Sequence, residues 1–405
     1  MKYVNFFFHI YQPPLQTDKI LAEIVHQSYE PLTRKICEYT DLKFTLNVNF
    51  SLVELLNERF PDILSNIKNA FEAGSLELTA TGAYHPIFPL VPLLEVERQL
   101  DINLRGNQRL LSAEFDPTGV FPPELAFTCS LVPLFKKLGY KWTIVDDSNL
   151  QCYGSEPPYN KIYAVDDFGV FFRSNLWANQ FAQYRKQWEH GNDFVNELVE
   201  SLNGWMGDDE GYVIIALDGE TFGHHHPELN ERFLGEVFEG LRNANSQIRT
   251  AHLSDLYQIF PRISRFVPPG SWSTDQPDIQ NRDYFSWWKS SRNRIHQLQW
   301  QFTRLVLEAV RNLGANTELN EEMDRALYSC QFWWASFWKF SPPEIYRGAF
   351  NMMQLLQKAA DSRADESLDR EEHELLERGE AVFRQLITEI EKKAHERELV
   401  DALKK

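Results

Sequence analysis

From Tyr3 to about residue 260, short apolar blocks end on a glycine, a proline or a charged residue, and stretches of helical periodicity separate them. Val213–Leu217 is the clearest block: five apolar residues run into Asp218, Gly219 and Glu220, then Gly223 and the run His224, His225, His226. An unbroken run of that length reads as a strand buried on both faces, as in a parallel sheet. The glycines behind it supply the sharp turn where such a strand stops. Further strands are predicted at Tyr3–His9, Lys43–Phe50, Ser75–Gly82, Gly119–Phe121, Lys141–Val145 and Gly169–Arg173.

Between the strands, apolar residues recur at helical spacing over Lys19–Thr40, Ser51–Ala73, Pro92–Ser112 and Ser130–Leu138. Ser51 suits an N-cap, Pro92 a first turn, and Gly74 and Gly139 follow helix ends. Strand and helix alternating in this way imply an α/β fold with a parallel sheet and crossover helices. Seven strands point to a closed or nearly closed barrel. After Arg262 the pattern changes: residues 265–278 are rich in Pro, Gly and Ser and read as a boundary or an active-site loop. Only helical patterns follow, over Asp283–Asn312, Asn320–Phe340, Pro343–Asp361 and Leu368–Leu399. The expected division is a barrel over residues 1–265 and an all-helical C-terminal region over 266–405 that closes the substrate cleft.

Polar residues gather in or just after the predicted strands: His9, Glu77, His85, Glu124, Asp146, Asp147, Arg173, Asp218 and Glu220. In a parallel sheet all strand ends lie on one face, where barrel and open α/β enzymes place their chemistry. Two carboxylates there suit glycoside cleavage, in which one attacks the anomeric carbon while the other protonates the leaving oxygen. The attacking group must be ionised, and the acid needs a raised pKa. Plainer readings stand beside this one. Asp218 can cap the next helix, His9 can be a hydrogen-bonded core histidine, and Arg173 can anchor Asp146 or Asp147.

Composition narrows the partner. A formal charge of −17 argues against nucleic acid and anionic membranes, because both are bound through clustered Lys and Arg. An uncharged substrate fits better, and the 11 Trp and 15 Tyr supply rings on which sugars stack. The four cysteines form no CxxC pair, so neither a zinc ribbon nor a disulfide framework is indicated. The apolar run Tyr3–Phe8 is too short for a signal-peptide core, and no stretch approaches the roughly 18 apolar residues of a membrane span. A cytoplasmic protein with free thiols is expected, and a homo-oligomer is compatible with the sequence.

An ordered set of motifs across roughly residues 1–360 resembles glycoside hydrolase family 57, the α-amylase and 4-α-glucanotransferase group. The family's His-x-His-Gln-Pro stands here as His9-Ile10-Tyr11-Gln12-Pro13, with Tyr11 in place of the second His. GSLELTATGAYHPIFPL resembles the second motif, GVFPPELAF the third with TIVDD after it, LDGETFG the fourth, and GSWSTDQPD more loosely the fifth. The resemblance implies an incomplete seven-stranded (β/α) barrel followed by helices. It implies retaining cleavage or transfer on α-1,4-glucans or maltooligosaccharides, with no metal or organic cofactor. Glu124 would then be the nucleophile and Asp218 the acid/base. His9, Gln12, Glu77, His85, Phe121, Asp147, Glu220, His225 and Trp272 would line the sugar site. Two other functions remain open on the sequence: a zinc-dependent polysaccharide deacetylase, with Asp218 or Asp146 and two of the three adjacent histidines as ligands, and a catalytically silent glycan-binding homologue.

Overall fold

The computed structural model describes residues 1–313, 317–362 and 370–403. Its strands are β1 (Lys2–Ile10), β2 (Phe44–Val48), β3 (Leu76–Leu78), β4 (Gly119–Val120), β5 (Trp142–Asp146), β6 (Ile162–Val165), β7 (Phe168–Arg173), β8 (Gly211–Asp218), β9 (Ile248–Thr250) and β10 (Arg262–Ser264). A strand forms at each predicted site; β6, β9 and β10 are additional. The fold is α/β, with parallel strands and many helices.

Two five-stranded sheets are formed. In the first, β3, β2, β1 and β8 lie side by side and parallel, with β9 pairing the start of β1. In the second the order is β10-β6-β7-β5-β4, and the β6–β7 pair is antiparallel. That hairpin departs from the all-parallel expectation. It turns at Asp166 and Asp167, whose φ angles of 48° and 67° suit a tight hairpin and are tolerated by a short acidic side chain.

Hydrogen bonds join the two sheets at two seams. Ala80, just past β3, donates to the Gly119 carbonyl at 2.9 Å and accepts from Phe121 N at 2.8 Å. At the other seam Ser174 N donates to the Ile214 carbonyl at 2.8 Å, and Arg173 Nε donates to the Ala216 carbonyl at 2.6 Å. Arg173 Nη1 also pairs with the buried carboxylate of Asp146.

Side chains of β1 alternate between the two faces, as strand geometry requires. Phe6 meets Phe181 and Phe194, and Phe8 meets Phe222. On the opposite face Phe7 joins a buried cluster with Phe121, Trp142, Ile144, Phe171 and Ile214. Each such ring removed from water contributes about 1.5–3 kcal/mol before entropic costs. His9 follows Phe7 on the same face, at the carboxyl end of the strand.

Most predicted helices form with adjusted ends, but residues 283–293 are turns and coil, and the stretch predicted over Asn320–Phe340 is two helices, Thr317–Ala326 and Cys330–Trp333. Lys19–Thr40 is two helices, Asp18–Ile24 and Glu30–Glu38, joined by one π-helical turn at Val25–Tyr29. Ser51–Ala73 breaks at Phe60 before Pro61, and its first helix, Phe50–Arg59, has Asn49 rather than Ser51 at the N-cap. By contacts the chain divides into two compact units, Met1–Ala83 with Val91–Trp272, and Tyr84–Leu90 with Ser273–Lys405. The second contains the helices Arg294–Leu313, Thr317–Ala326, Cys330–Trp333, Pro342–Asp361 and Arg370–Leu403. Positions 368 and 369 of the last expected helix lie outside the described residues. No helix among the described residues is long and apolar enough to cross a membrane.

Candidate active site

The carboxyl ends of β2, β1 and β8 carry Asn47, His9 and Asp218 in one row of the strand register. His9 Nδ1 lies 2.8 Å from Asn47 Oδ1, and Asn47 Nδ2 donates to Thr79 Oγ1 at 3.0 Å. Phe121 stacks on the His9 ring, with centroids 4.9 Å apart and planes at 21°. Burial lowers the His9 pKa, opposed by the charge of Asp218 and the bond to Asn47. The ring is held at one nitrogen by Asn47 and against its face by Phe121.

Glu124 enters from the carboxyl end of β4, through Pro122 and Pro123. Its backbone is left-handed (φ 61°, ψ 21°), as is that of Leu125 (φ 52°). Positive φ at two consecutive non-glycine residues is strained, and such strain persists only where surrounding structure imposes it. Part of that structure is the segment Gly270–Trp272. Gly270 exchanges backbone hydrogen bonds with Phe127, at 2.8 and 3.1 Å. A Cβ on Gly270 would sit 2.1 Å from Asn149 Oδ1, so glycine is what allows this close approach. Two residues on, Trp272 Nε1 donates to Glu124 Oε2 at 2.7 Å. The Glu124 carboxyl is pushed up to about 7, first by burial; the Trp272 bond opposes the rise and the charge of Asp218 adds to it. Asp218 itself is exposed. Its charge acts on His9, Tyr29, Glu124, Glu220 and His225, which makes it the electrostatic hub of the group.

Gln12, Tyr29 and Glu220 form a second, buried layer. Gln12 Nε2 donates to Glu220 Oε1 at 2.9 Å, and the Tyr29 hydroxyl donates to the same oxygen. Burial and then the charge of Asp218 raise the Glu220 carboxyl to about 8. The three adjacent histidines diverge. His224 Nδ1 lies 2.6 Å from Gln27 Oε1, and His226 Nε2 lies 3.1 Å from the Ala182 carbonyl. His225 is held through its backbone N–H on the Glu220 carbonyl at 2.8 Å. Among the described residues no three His, Cys, Asp or Glu are grouped to hold a metal ion.

Three further sequence candidates are engaged by other partners. Glu77 sits mid-strand and caps a helix: its carboxylate accepts from Leu253 N at 2.8 Å and Ser254 N at 3.2 Å, at the start of the helix Leu253–Ile259. Its place in the register is level with Thr45 and Phe7, below the His9 row. His85 belongs to the second unit and is buried, with Nδ1 2.8 Å from the Ser329 hydroxyl. Asp147 is buried and accepts from Asn175 N at 3.0 Å; burial and the charge of Asp146 raise its carboxyl to about 7. Arg173 anchors Asp146, as expected. Tyr29 and Asn47 were not singled out in the sequence. Tyr29 lies inside a helical stretch, and only the fold brings it to Glu220.

Known proteins place this arrangement in a family. The sequence profile of Glycosyl hydrolase family 57 matches residues 6–270. The 4-alpha-glucanotransferase of Thermococcus litoralis is 24% identical over 281 residues, covering 67% of this chain and 40% of that protein. An alpha-amylase of Pyrococcus horikoshii is 25% identical over 281 residues, covering 67% and 42%. The chain thus matches less than half the length of these relatives. Among solved structures, the GH57-type branching enzyme of Pyrococcus horikoshii superposes with a TM-score of 0.71 at 15% identity, covering 94% of both chains. The alpha-amylase AmyC of Thermotoga maritima gives 0.70 at 15% identity, covering 95% of this chain and 99% of that one. With the profile match spanning well over half of its residues, the chain belongs to glycosyl hydrolase family 57.

Proposed function

We propose that this protein is a retaining α-glycosidase or transglycosylase acting on α-1,4-glucans, with Glu124 as nucleophile and Asp218 as acid/base. The observation that carries the reading is the placement of both carboxyls at the carboxyl ends of strands, β4 and β8, where the charge of Asp218 raises the Glu124 pKa. The two seamed sheets are read as the incomplete seven-stranded (β/α) barrel of the family, with both acids at its carboxyl-end face.

In the first step a Glu124 oxygen bonds to the anomeric carbon as the bond to the leaving oxygen breaks, and Asp218 gives its proton to that oxygen. In the second, Asp218 takes a proton from water or from an acceptor hydroxyl. The oxygen so activated attacks the anomeric carbon, and the Glu124 carboxylate departs. Glu124 must be ionised to attack. The Trp272 N–H favours that form, whereas burial and Asp218 disfavour it. His9 and Phe121 form one wall of the site, and Glu220, braced by Gln12 and Tyr29, stands beside the acid.

The zinc deacetylase reading needs two of the three adjacent imidazoles to converge, and their separate hydrogen-bond partners argue against it. A silent homologue would have lost a carboxylate, and both stand here. The test is a product profile on maltoheptaose beside Glu124→Gln and Asp218→Asn. Shorter or redistributed oligosaccharides with the parent protein and none with Glu124→Gln are expected. Full activity in Glu124→Gln would refute the assignment.

A further inference from the structure

The second unit contains a cavity of about 520 Å³, and none of the residues grouped around Glu124 and Asp218 lines it. Its volume lies within the range of small-molecule sites, about 300–1,000 Å³. Four cations line it: Arg282, Lys289, Arg294 and Arg304. In a chain with 58 acidic and 41 basic residues, neighbouring cations find carboxylates readily. Arg311 pairs with Asp324 at 2.7 Å and Lys358 with Glu322 at 2.6 Å, both in the same unit. Around the cavity the pattern differs. Among the described residues Arg282, Lys289 and Arg304 have no ion pair, and Arg294 reaches only the amide oxygens of Gln297 and Gln385, at 3.3 and 3.4 Å.

The single acid in the lining, Asp283, does not neutralise them. Its oxygens accept from the Ser290 hydroxyl at 2.8 Å and from Ser291 N at 3.1 Å, which pins the loop before the helix Arg294–Leu313. All four cations are exposed, so an anion can reach them from solvent. Burial and then the charge of Arg304 lower the Lys289 ammonium pKa, with Asp283 acting weakly the other way. An anion entering the cavity would relieve that repulsion.

Guanidinium groups present forked donors that match a phosphate, and an ammonium adds a point charge. The rest of the lining suits a polyhydroxylated ring. Gln301 offers an amide donor and acceptor, and Tyr284 offers ring surface. We propose that this cavity binds a phosphorylated sugar, with its phosphate among Arg282, Lys289, Arg294 and Arg304. The inference does not rest on the catalytic assignment.

Isothermal titration of the full chain at low ionic strength, with glucose 6-phosphate, glucose 1-phosphate and orthophosphate, tests it. A sugar phosphate should bind with a sub-millimolar Kd, at least tenfold tighter than orthophosphate, and weaken as salt rises. The double variant Arg282→Gln/Arg304→Gln should lose at least tenfold in affinity, whereas Glu124→Gln should leave it unchanged. Should the double variant not fold, Lys289→Gln alone gives the same reading. No detectable binding, equal affinity for orthophosphate, affinity unchanged in the cationic variants, or affinity lost in Glu124→Gln would each overturn the proposal.

Discussion

Trp272 Nε1 donates a hydrogen bond to Glu124 Oε2 at 2.7 Å. This bond ties the last residue of the sheet-bearing unit to the carboxylate proposed to attack the sugar. It opposes the burial that raises the Glu124 carboxyl to about 7. A bond to a charged acceptor is worth roughly 1.5–3 kcal/mol, so losing it moves a pKa by about one to two units. Trp272→Phe keeps the ring and removes the donor. The rising limb of kcat/KM against pH should shift upward by about that amount, with little change on the alkaline side. A limb that stays in place would show that the indole does not tune this acid.

Asp218 acts on the same group in the opposite sense. Its negative charge raises the Glu124 pKa, so Asp218→Asn should lower it while removing the acid. Turnover of maltooligosaccharides should fall by several orders of magnitude. With a substrate whose leaving group needs no protonation, such as a maltosyl fluoride, much of the first step should return. The rising limb for that substrate should lie below the parent's. A limb unmoved by the substitution would separate the two carboxyls electrostatically.

How much of this was legible in the sequence depended on how local each signal was. The strands that carry His9 and Asp218 were readable because burial on both faces leaves an unbroken apolar run, as at Val213–Leu217. The strand β6 escaped because Ile162–Val165 is short and its turn consists of two acids with positive φ rather than the usual glycine. Glu124 and Asp218 were singled out through motifs, but Tyr29 was not, since nothing within its helix announces a partner 191 positions away. The helix-capping role of Glu77 was hidden for the converse reason. Its motif was local, while the helix start at Leu253 that takes its carboxylate is brought in from the far side of the sequence.

Gly223 governs the loop carrying the histidines. Its φ is +99°, and a Cβ there would lie 2.0 Å from the Gln27 carbonyl oxygen. Backbone strain and that clash together should make Gly223→Ala destabilising by about 2–4 kcal/mol. The loop would have to lift away from Gln27 and Ser28, releasing His224. Chemical denaturation measures the loss. Unchanged stability would mean that the loop rearranges at no cost.

Arg173 bridges the second seam with two different bonds, one to the Ala216 carbonyl and one to Asp146. A lysine keeps the charge but cannot present both donors in the plane that the guanidinium offers. Arg173→Lys leaves part of a buried ion pair uncompensated, and about 3 kcal/mol of stability should be lost. Unfolding in urea should show a lower midpoint, with Asn175 and Ser148 still engaging Asp146 in the folded state. A midpoint equal to the parent's would assign the seam to the backbone bond of Ser174 alone.

Several buried carboxyls leave a mark on stability. Glu77, Glu124 and Asp147 are raised to about 7 and Glu220 to about 8, each chiefly by burial. A carboxyl whose folded pKa exceeds its unfolded value binds more protons when folded between the two. Its stabilisation is full below the unfolded value and is lost as pH rises through the folded one. Buried histidines oppose this at lower pH: His296 is lowered to about 4 by burial, so stability it costs at acid pH is regained as pH rises toward 6.5. Above 6.5 the histidines fall silent and the carboxyls act alone. Melting temperature should therefore fall between pH 6.5 and 8. Glu77→Gln isolates one contributor, since an amide oxygen can still accept from Leu253 N and Ser254 N but cannot titrate. Its melting temperature, plotted as a difference from the parent, should rise steadily from pH 4.5 to 7 and then level off. A flat difference across that range would mean that the Glu77 carboxyl is not raised in the folded protein.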